Sequence, residues 1–196
     1  VAAGLEAGAI TTDSLFNTHP GWIANGKYRT TDTHNYGVLD TTGVIRKSSN
    51  IGAALIARRL SDAQFDAFLR RFGYGRVTGS GFPGEAAGLF PTPDRWSGTT
   101  KQVMSYGYAI SVTPLQIATA YAALGNGGLL HQPSFVKGQH AAPRQVLDPK
   151  IAAEVLPPDF TFDWGGTSYQ EKRSGGASGF ALALAVIMVF LILSAQ

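Results

Sequence analysis

Two helix-capping boxes constrain the fold most, because each one sets the residue at which a helix begins. Ser61 and Gln64 have the Ser-x-x-Gln spacing in which two side chains satisfy backbone N–H groups at a helix start. Thr113 and Gln116 repeat this spacing, with proline at the first helical position. Apolar stripes follow, comprising Phe65, Phe68, Leu69 and Phe72 after the first box and Leu115, Ala118, Tyr121 and Ala122 after the second. We therefore predict two amphipathic helices, each ended by a glycine.

A third helix is predicted over residues 50–60, with Ser48 or Ser49 near its start. Its inward side is expected to comprise Ile51, Ala54, Leu55 and Ile56. Gly- and Pro-rich connections such as residues 78–93 separate the helices, and residues 129–136 fit a short strand. The first 150 residues therefore predict the helix-dominated part of a mixed α/β (α+β) domain.

Composition excludes several classes of site. The 196 residues include no cysteine, so disulfides and thiolate metal sites are absent, and the four histidines show no metal-ligand spacing. Arg58-Arg59 and Arg70-Arg71 are the densest basic positions, and both fall on predicted helices, where a solvated face is expected. We expect no metal, no cofactor and no nucleic-acid partner.

The character of the chain changes after Lys150. Residues 159–164 alternate aromatic and polar side chains, which predicts a half-buried strand inside a linker spanning residues 151–178. Phe180 to Leu193 are fourteen consecutive apolar residues, and a membrane-spanning helix needs roughly 20. We interpret residues 179–196 as a truncated transmembrane helix; a buried core helix is the alternative.

One polar cluster stands inside an ordered series of short motifs. Lys47-Ser48-Ser49-Asn50 alone is a weak pattern, since serine and asparagine are common helix caps. The flanking motifs, in order, are Asn35-Tyr36-Gly37, Thr42-Gly43-Val44-Ile45-Arg46, Gly79-Ser80-Gly81-Phe82-Pro83-Gly84-Glu85, Ser105-Tyr106-Gly107-Tyr108 and Ser111-Val112-Thr113-Pro114-Leu115-Gln116. Over residues 1 to about 150 the set resembles the transpeptidase domain of class B penicillin-binding proteins, most closely the division-specific penicillin-binding protein 3 type.

This resemblance implies serine-type D,D-transpeptidation of the peptidoglycan stem peptide, with β-lactams as ligands. A serine attacks the D-Ala carbonyl, a lysine activates that serine, and backbone N–H groups hold the oxyanion. The resemblance implies that Ser48 relays a proton towards the leaving group and that the Asn50 amide hydrogen-bonds the substrate backbone. Tyr108 matches a position that lines the cleft, although a core aromatic is an equally open interpretation.

Two family motifs are not found where the resemblance implies them. Val1 to Gly8 resemble the helix after the nucleophile motif Ser-x-x-Lys, so we expect that motif a few residues before Val1 and both termini to be cut. No Lys-Thr-Gly or Lys-Ser-Gly follows Pro149. Ser134 and Lys137 match Ser-x-x-Lys, but they follow a proline on a stretch expected to be extended, where no helix opens at the serine. We expect a fragment that is inactive alone.

The tail has a resemblance of its own. Trp164 to Glu171, with the Ser-Tyr-Gln-Glu block at its end, is similar to resistance–nodulation–division efflux pumps where a porter strand enters a transmembrane helix. The alternatives are therefore a fragment of a membrane efflux transporter, or a chimeric fusion without activity. The combined resemblances imply the bacterial inner membrane, with the transpeptidase part facing the periplasm and divisome proteins as partners of the parent protein.

Overall fold

The computed structural model describes residues 1–137 and 141–155, a mixed α/β arrangement as predicted. Its first half contains α1 (Ala2–Glu6), β1 (Leu15–Asn17), β2 (Trp22–Asn25), β3 (Tyr28–Thr31), β4 (Val38–Asp40), α2 (Thr41–Arg46) and α3 (Asn50–Arg58). Its second half contains α4 (Asp62–Arg71), a 3-10 turn (Pro93–Arg95), α5 (Thr100–Met104), α6 (Pro114–Gly125), β5 (Leu129–Leu130), β6 (Arg144–Gln145) and α7 (Pro149–Val155).

The strands within the described ranges form three separate antiparallel pairs. In the first pair β1 lies beside β4, and in the last β5 lies beside β6. The middle pair is the hairpin of β2 and β3, in which Trp22 is opposite Thr31. Strand β3 also contacts α3. The hairpin therefore carries the residues after β3 to the beginning of α3.

Both predicted capping boxes are confirmed. The Ser61 hydroxyl accepts the Gln64 N–H at 3.1 Å, and the Gln64 carbonyl oxygen accepts the Ser61 N–H at 2.8 Å. Thr113 and Gln116 make the same reciprocal bonds at 3.1 and 2.8 Å. These bonds satisfy backbone donors that no helical carbonyl can reach, and they set the starts of α4 and α6.

The predicted apolar stripe of α6 was wrong. Tyr121 is 66% exposed, and the buried positions are Gln116, Ala120 and Ala123. The Gln116 amide donates to the backbone carbonyls of Arg76 at 2.7 Å and Ala87 at 2.9 Å, so its burial leaves no unsatisfied donor. Small alanines then allow the rest of this side to approach the core closely.

Three apolar clusters hold these elements together within the described residues. The first joins Phe72 to Ala120 and Ala123 of α6, and includes Ala152 of α7, which is fully buried. The second joins α1, β1, α2 and α3 around Phe16. The third joins α3 and α4 to Phe90 and Met104. Helix α3 contributes to the last two clusters, so it is the central element beneath the polar turn at residues 48–50.

The strand expected over residues 129–136 is limited to Leu129–Leu130. Pro133 lacks the N–H that would continue a ladder, and the Ser134 hydroxyl accepts the Val136 N–H at 3.0 Å in a local turn. No helix within the described residues is long and apolar enough to cross a membrane. The strand predicted at residues 159–164 and the transmembrane helix predicted at residues 179–196 lie outside the residues that the structure describes.

We predict that Gly52→Ala destabilises the protein although alanine favours helix. A Cβ at position 52 would lie 2.5 Å from Val44 Cγ2, and Val44 is itself buried between α2 and α3. Overpacking costs about 1–3 kcal/mol, against about 1 kcal/mol of gained helix propensity. Thermal unfolding of the 196-residue chain measures the difference.

The matched control is Gly125→Ala at the end of α6, where a Cβ meets nothing within 4 Å. This variant should be neutral or slightly more stable than the wild type. Equal melting temperatures for the two variants would contradict the proposed contact between α2 and α3.

Candidate functional site

The polar turn at residues 48–50 is where α2 ends and α3 begins. The Ser48 N–H donates to the Ile45 carbonyl at 3.0 Å, and the Ser49 N–H donates to the Val44 carbonyl at 3.0 Å. This pair of bonds is the Schellman arrangement that ends many helices, and its left-handed position is usually glycine. Here Ser48 occupies that position with a φ of 51°. A serine in a left-handed conformation costs roughly 1 kcal/mol or more, so the turn is locally strained.

Ser49 stabilises this turn from its buried side. It is buried, it is the N-cap of α3, and its hydroxyl accepts the Gly52 N–H at 2.9 Å. The same hydroxyl donates to the Asp32 carboxylate at 2.6 Å. The other carboxylate oxygen of Asp32 accepts the Ile51 N–H at 3.0 Å. Two free N–H groups of α3 are therefore satisfied, and the negative charge of Asp32 lies at the positive end of the helix.

Asn50 is tied to the same hairpin through its side chain. Its Nδ2 donates to the Thr31 carbonyl at 3.0 Å, and the residue is half-buried. An asparagine amide carries two N–H donors and one carbonyl acceptor. Among the residues that the structure describes, the second N–H and the Oδ1 atom of Asn50 make no hydrogen bond. The bond to Thr31 thus orients the amide, and its other N–H and its oxygen are available to bind a ligand.

Tyr108 is brought to this region through Tyr106. The Tyr106 hydroxyl lies 3.0 Å from the Thr30 hydroxyl, one residue before the carbonyl that holds Asn50. The rings of Tyr106 and Tyr108 meet edge to face with centroids 5.8 Å apart. Tyr108 is 68% exposed, so it is not a core aromatic. Ala109 follows it with a φ of 59°, a second strained position.

Ser48 is exposed, and its hydroxyl makes no hydrogen bond within the described part of the chain. The residues predicted for the site therefore differ in state. Among the residues that the structure describes, the Ser48 hydroxyl makes no hydrogen bond, the Asn50 amide uses one of its hydrogen-bonding groups, and the Tyr108 ring is exposed. Ser48 and Asn50 lie at the junction of α2 and α3, and Tyr108 contacts Tyr106, which is bonded to β3.

Ser134 is in a different setting from a helix-opening serine. Its hydroxyl bonds the N–H and the carbonyl of Val136, and no helix begins at this residue. A lysine three residues later is therefore not placed one helical turn above it. Across residues 1–137 and 141–155, no group of three or more histidine, aspartate or glutamate side chains is placed to hold a metal ion.

Asp32 is the functional candidate that sequence reasoning missed. It lies seventeen residues before Ser49 in the chain, and no local motif connects the two. The only local signal is its position directly after a strand that ends at Thr31. The sequence places a strand before the serine-rich start of α3, but it does not show that the end of this strand lies beside that start. Only the contacts between the hairpin and the helix reveal this.

The arrangement described above is that of a transpeptidase fold, and comparison with known proteins defines the class further. The family model of the penicillin-binding protein transpeptidase domain matches residues 1–158. The chain therefore belongs to the penicillin-binding protein transpeptidase family. Within it, the chain is a class B domain of the FtsI or penicillin-binding protein 3 type.

Two curated relatives illustrate the match. Penicillin-binding protein PbpB of Mycolicibacterium smegmatis is 38% identical over 149 residues, which are 75% of this chain and 23% of that protein. Peptidoglycan D,D-transpeptidase FtsI of Escherichia coli K12 is 35% identical over 156 residues, 80% of this chain and 26% of that protein. The chain thus spans about a quarter of the length of these relatives.

Solved structures agree with this assignment. The transpeptidase domain of Burkholderia pseudomallei penicillin-binding protein 3 superposes with a TM-score of 0.73 at 32% identity, covering 79% of this chain and 47% of that one. Penicillin-binding protein 3 of Mycobacterium tuberculosis in complex with aztreonam gives 0.71 at 34% identity, covering 79% and 37%. Residues 156–196 lie outside the described residues, so their resemblance to efflux pumps stays a prediction.

We predict that Asp32→Asn loosens the start of α3. An amide at position 32 offers one acceptor oxygen where the carboxylate offers two, so the Ser49 hydroxyl and the Ile51 N–H can no longer donate to separate oxygens. The expected cost is about 1–3 kcal/mol of unfolding free energy. Hydrogen exchange at the Ile51 and Gly52 amides should accelerate accordingly.

Asp40→Asn is the control, because Asp40 caps α2 through a single bond from the Gly43 N–H. Asparagine caps helices as well as aspartate does, so this variant should change stability by less than about 0.5 kcal/mol. If Asp32→Asn were equally mild, the two-oxygen clamp would not be the holding interaction.

Proposed function

We propose that this chain forms part of a peptidoglycan D,D-transpeptidase, with Ser48 and Asn50 lining the cleft in which the stem peptide or a β-lactam reacts. Ser48 passes a proton towards the leaving group, and Asn50 hydrogen-bonds the peptide backbone of the substrate. Tyr108 contributes an aromatic wall. We assign the attacking serine and its lysine to a Ser-x-x-Lys motif of the parent protein, because the match at Ser134 in these 196 residues opens no helix.

The observation that carries this proposal is the Ser48 hydroxyl, which makes no hydrogen bond within the described residues and is held on a strained backbone. A glycine would end α2 at this position without strain, whereas serine adds a cost and makes no compensating bond within the described residues. Strain of this kind concentrates at sites where a side chain must be presented in one geometry. A hydroxyl that both donates and accepts is suited to relaying a proton.

The half-engaged amide of Asn50 supports the same reading. Its bond to the Thr31 carbonyl sets the plane of the amide before any ligand arrives. Preorganised groups lose less entropy on binding than mobile ones do. The remaining N–H and carbonyl oxygen match the complementary groups of a peptide bond.

The setting of the parent protein follows from its chemistry. Peptidoglycan lies outside the cytoplasmic membrane, so a cleft that acts on it faces the periplasm. We infer that the parent protein is held at the inner membrane and works beside divisome proteins. The relative from Mycobacterium tuberculosis was solved in complexes with aztreonam and with ampicillin, two β-lactams. We extend β-lactam binding to the full protein that contains this cleft.

Ser48→Gly tests the proposed role, because it should separate stability from activity. In the 196-residue chain this variant should raise the unfolding free energy by about 1 kcal/mol, since the left-handed strain is removed. In a hybrid in which the aligned part of this chain replaces the matching segment of Escherichia coli FtsI, it should slow acylation by fluorescent penicillin. The expected loss is about a hundredfold, as for a missing general acid or base.

Ala109→Gly is the matched control, since it relieves a similar φ of 59° without removing a hydroxyl. It should stabilise the chain and leave acylation of the hybrid unchanged. Ser48→Gly hybrids that fold and acylate at the wild-type rate would refute a role for this hydroxyl. A cooperatively folding wild-type hybrid that fails to acylate would refute the proposed cleft as a whole.

The 196-residue chain itself should form no covalent adduct with fluorescent penicillin. Ser134 begins its one Ser-x-x-Lys match, and that serine lies in a local turn and opens no helix. Gel fluorescence and intact mass after incubation measure labelling. An adduct that forms and then disappears in Ser134→Ala would show that the dismissed motif is a nucleophile.

A further inference from the structure

An open pocket of about 350 Å³ lies beyond the C-terminal end of α4, away from the Ser48 turn in the sequence. Its walls come from the segment after α4, from α6, from the residues after β5 and from β6. The lining also includes two large apolar residues, Phe72 and Leu130. The lining of this pocket, as the structure describes it, includes two arginines and a histidine, Arg76, Arg144 and His131, and no acidic residue.

The two arginines are held close together by the end of α4. Arg76 donates to the Arg70 carbonyl at 3.2 Å, and Arg144 donates to the Arg71 carbonyl at 2.8 Å. These carbonyls belong to successive residues in the last turn of the helix, so the two guanidinium groups are neighbours. Each uses one N–H in this way, and a guanidinium has five.

Nearby charges distinguish this pair from the other arginines of the region. Arg70 is paired with Asp66, and Arg71 is paired with Glu6. Among the described residues, neither Arg76 nor Arg144 has a carboxylate within salt-bridge distance. Burial, together with the charges of Arg76 and Arg71, lowers the pKa of Arg144 from its ordinary value.

Glu85, a carboxylate on the segment that follows α4, is already engaged by its own neighbours. Glu85 accepts the Thr78 N–H at 2.6 Å and the Thr78 hydroxyl at 2.5 Å, and its other oxygen accepts the Ser80 hydroxyl at 3.0 Å. These bonds, the one from the Thr78 side chain foremost, hold the pKa of Glu85 below its usual range. Glu85 therefore fixes the position of Thr78, which lines the pocket, and in the described part of the chain it forms no ion pair with either arginine.

We propose that this pocket binds a small, doubly charged oxyanion of the phosphate class between Arg76 and Arg144. Two guanidinium groups match a charge of −2, and their forked N–H groups match paired oxygens. The Gln132 amide, which also lines the pocket, already donates to the Gly79 carbonyl, so the arginines are the main donors for an anion. Structural capping of α4 alone is the competing explanation, and it predicts no saturable binding.

Arginine footprinting on the wild-type chain tests the proposal directly. The 196-residue protein is treated with phenylglyoxal at constant ionic strength, with inorganic phosphate replacing sodium chloride, and modified sites are read by mass spectrometry. At ten times the dissociation constant, Arg76 and Arg144 should react about tenfold more slowly. Arg46, an exposed arginine near the Ser48 turn, should react at an unchanged rate.

Calorimetric titration with phosphate supplies the second measurement. Arg144→Gln should raise the dissociation constant at least about tenfold, Arg144→Lys should raise it less, and Arg46→Gln should leave it unchanged. Because Arg144 also caps α4, its loss alone can loosen that helix; the wild-type footprint does not depend on this. Protection of Arg76 and Arg144 no greater than that of Arg46 would overturn the proposal and leave the capping role.

Discussion

The Asp32 carboxylate is the contact on which the arrangement of the site depends. One of its oxygens accepts the Ser49 hydroxyl at 2.6 Å and the other accepts the Ile51 N–H at 3.0 Å. Without this carboxylate, the Ser49 hydroxyl would lose its acceptor and the Ile51 N–H its partner. Among the described residues, Asn50 and Arg58 would then supply the remaining hydrogen bonds between α3 and the hairpin of β2 and β3. The geometry of Ser48 follows, because its neighbours on both sides are held.

The hydrogen bonds around residues 48–50 allow Ser48 to keep a strained backbone conformation. Ser48 adopts a left-handed conformation that costs roughly 1 kcal/mol or more, and it persists because the Schellman bonds before it and the cap after it determine its backbone. Gly52 adds to this constraint by allowing α2 and α3 to approach closely. Stability is thus contributed by Ser49, Gly52 and Asp32, while Ser48 presents a hydroxyl to solvent.

Local signals predicted the helices well and their buried sides unevenly. Capping boxes are read from four adjacent residues, so the starts of α4 and α6 were predictable. In α3 the inward positions were correct for Ile51, Ala54 and Ile56. In α6 they were not, because the burial of Gln116 depends on carbonyls of residues 76 and 87, which no spacing within the helix reveals.

The sequence by itself determined the family, the starts of α3, α4 and α6, and the identity of Ser48, Asn50 and Tyr108 as site candidates, because ordered motifs and capping patterns are local. Only the tertiary structure decided that Asp32 anchors the turn and that the guanidinium groups of Arg76 and Arg144 meet at one helix end. These contacts join residues far apart in the chain. Their partners become known only when the hairpin, the helices and the small clusters between them have packed.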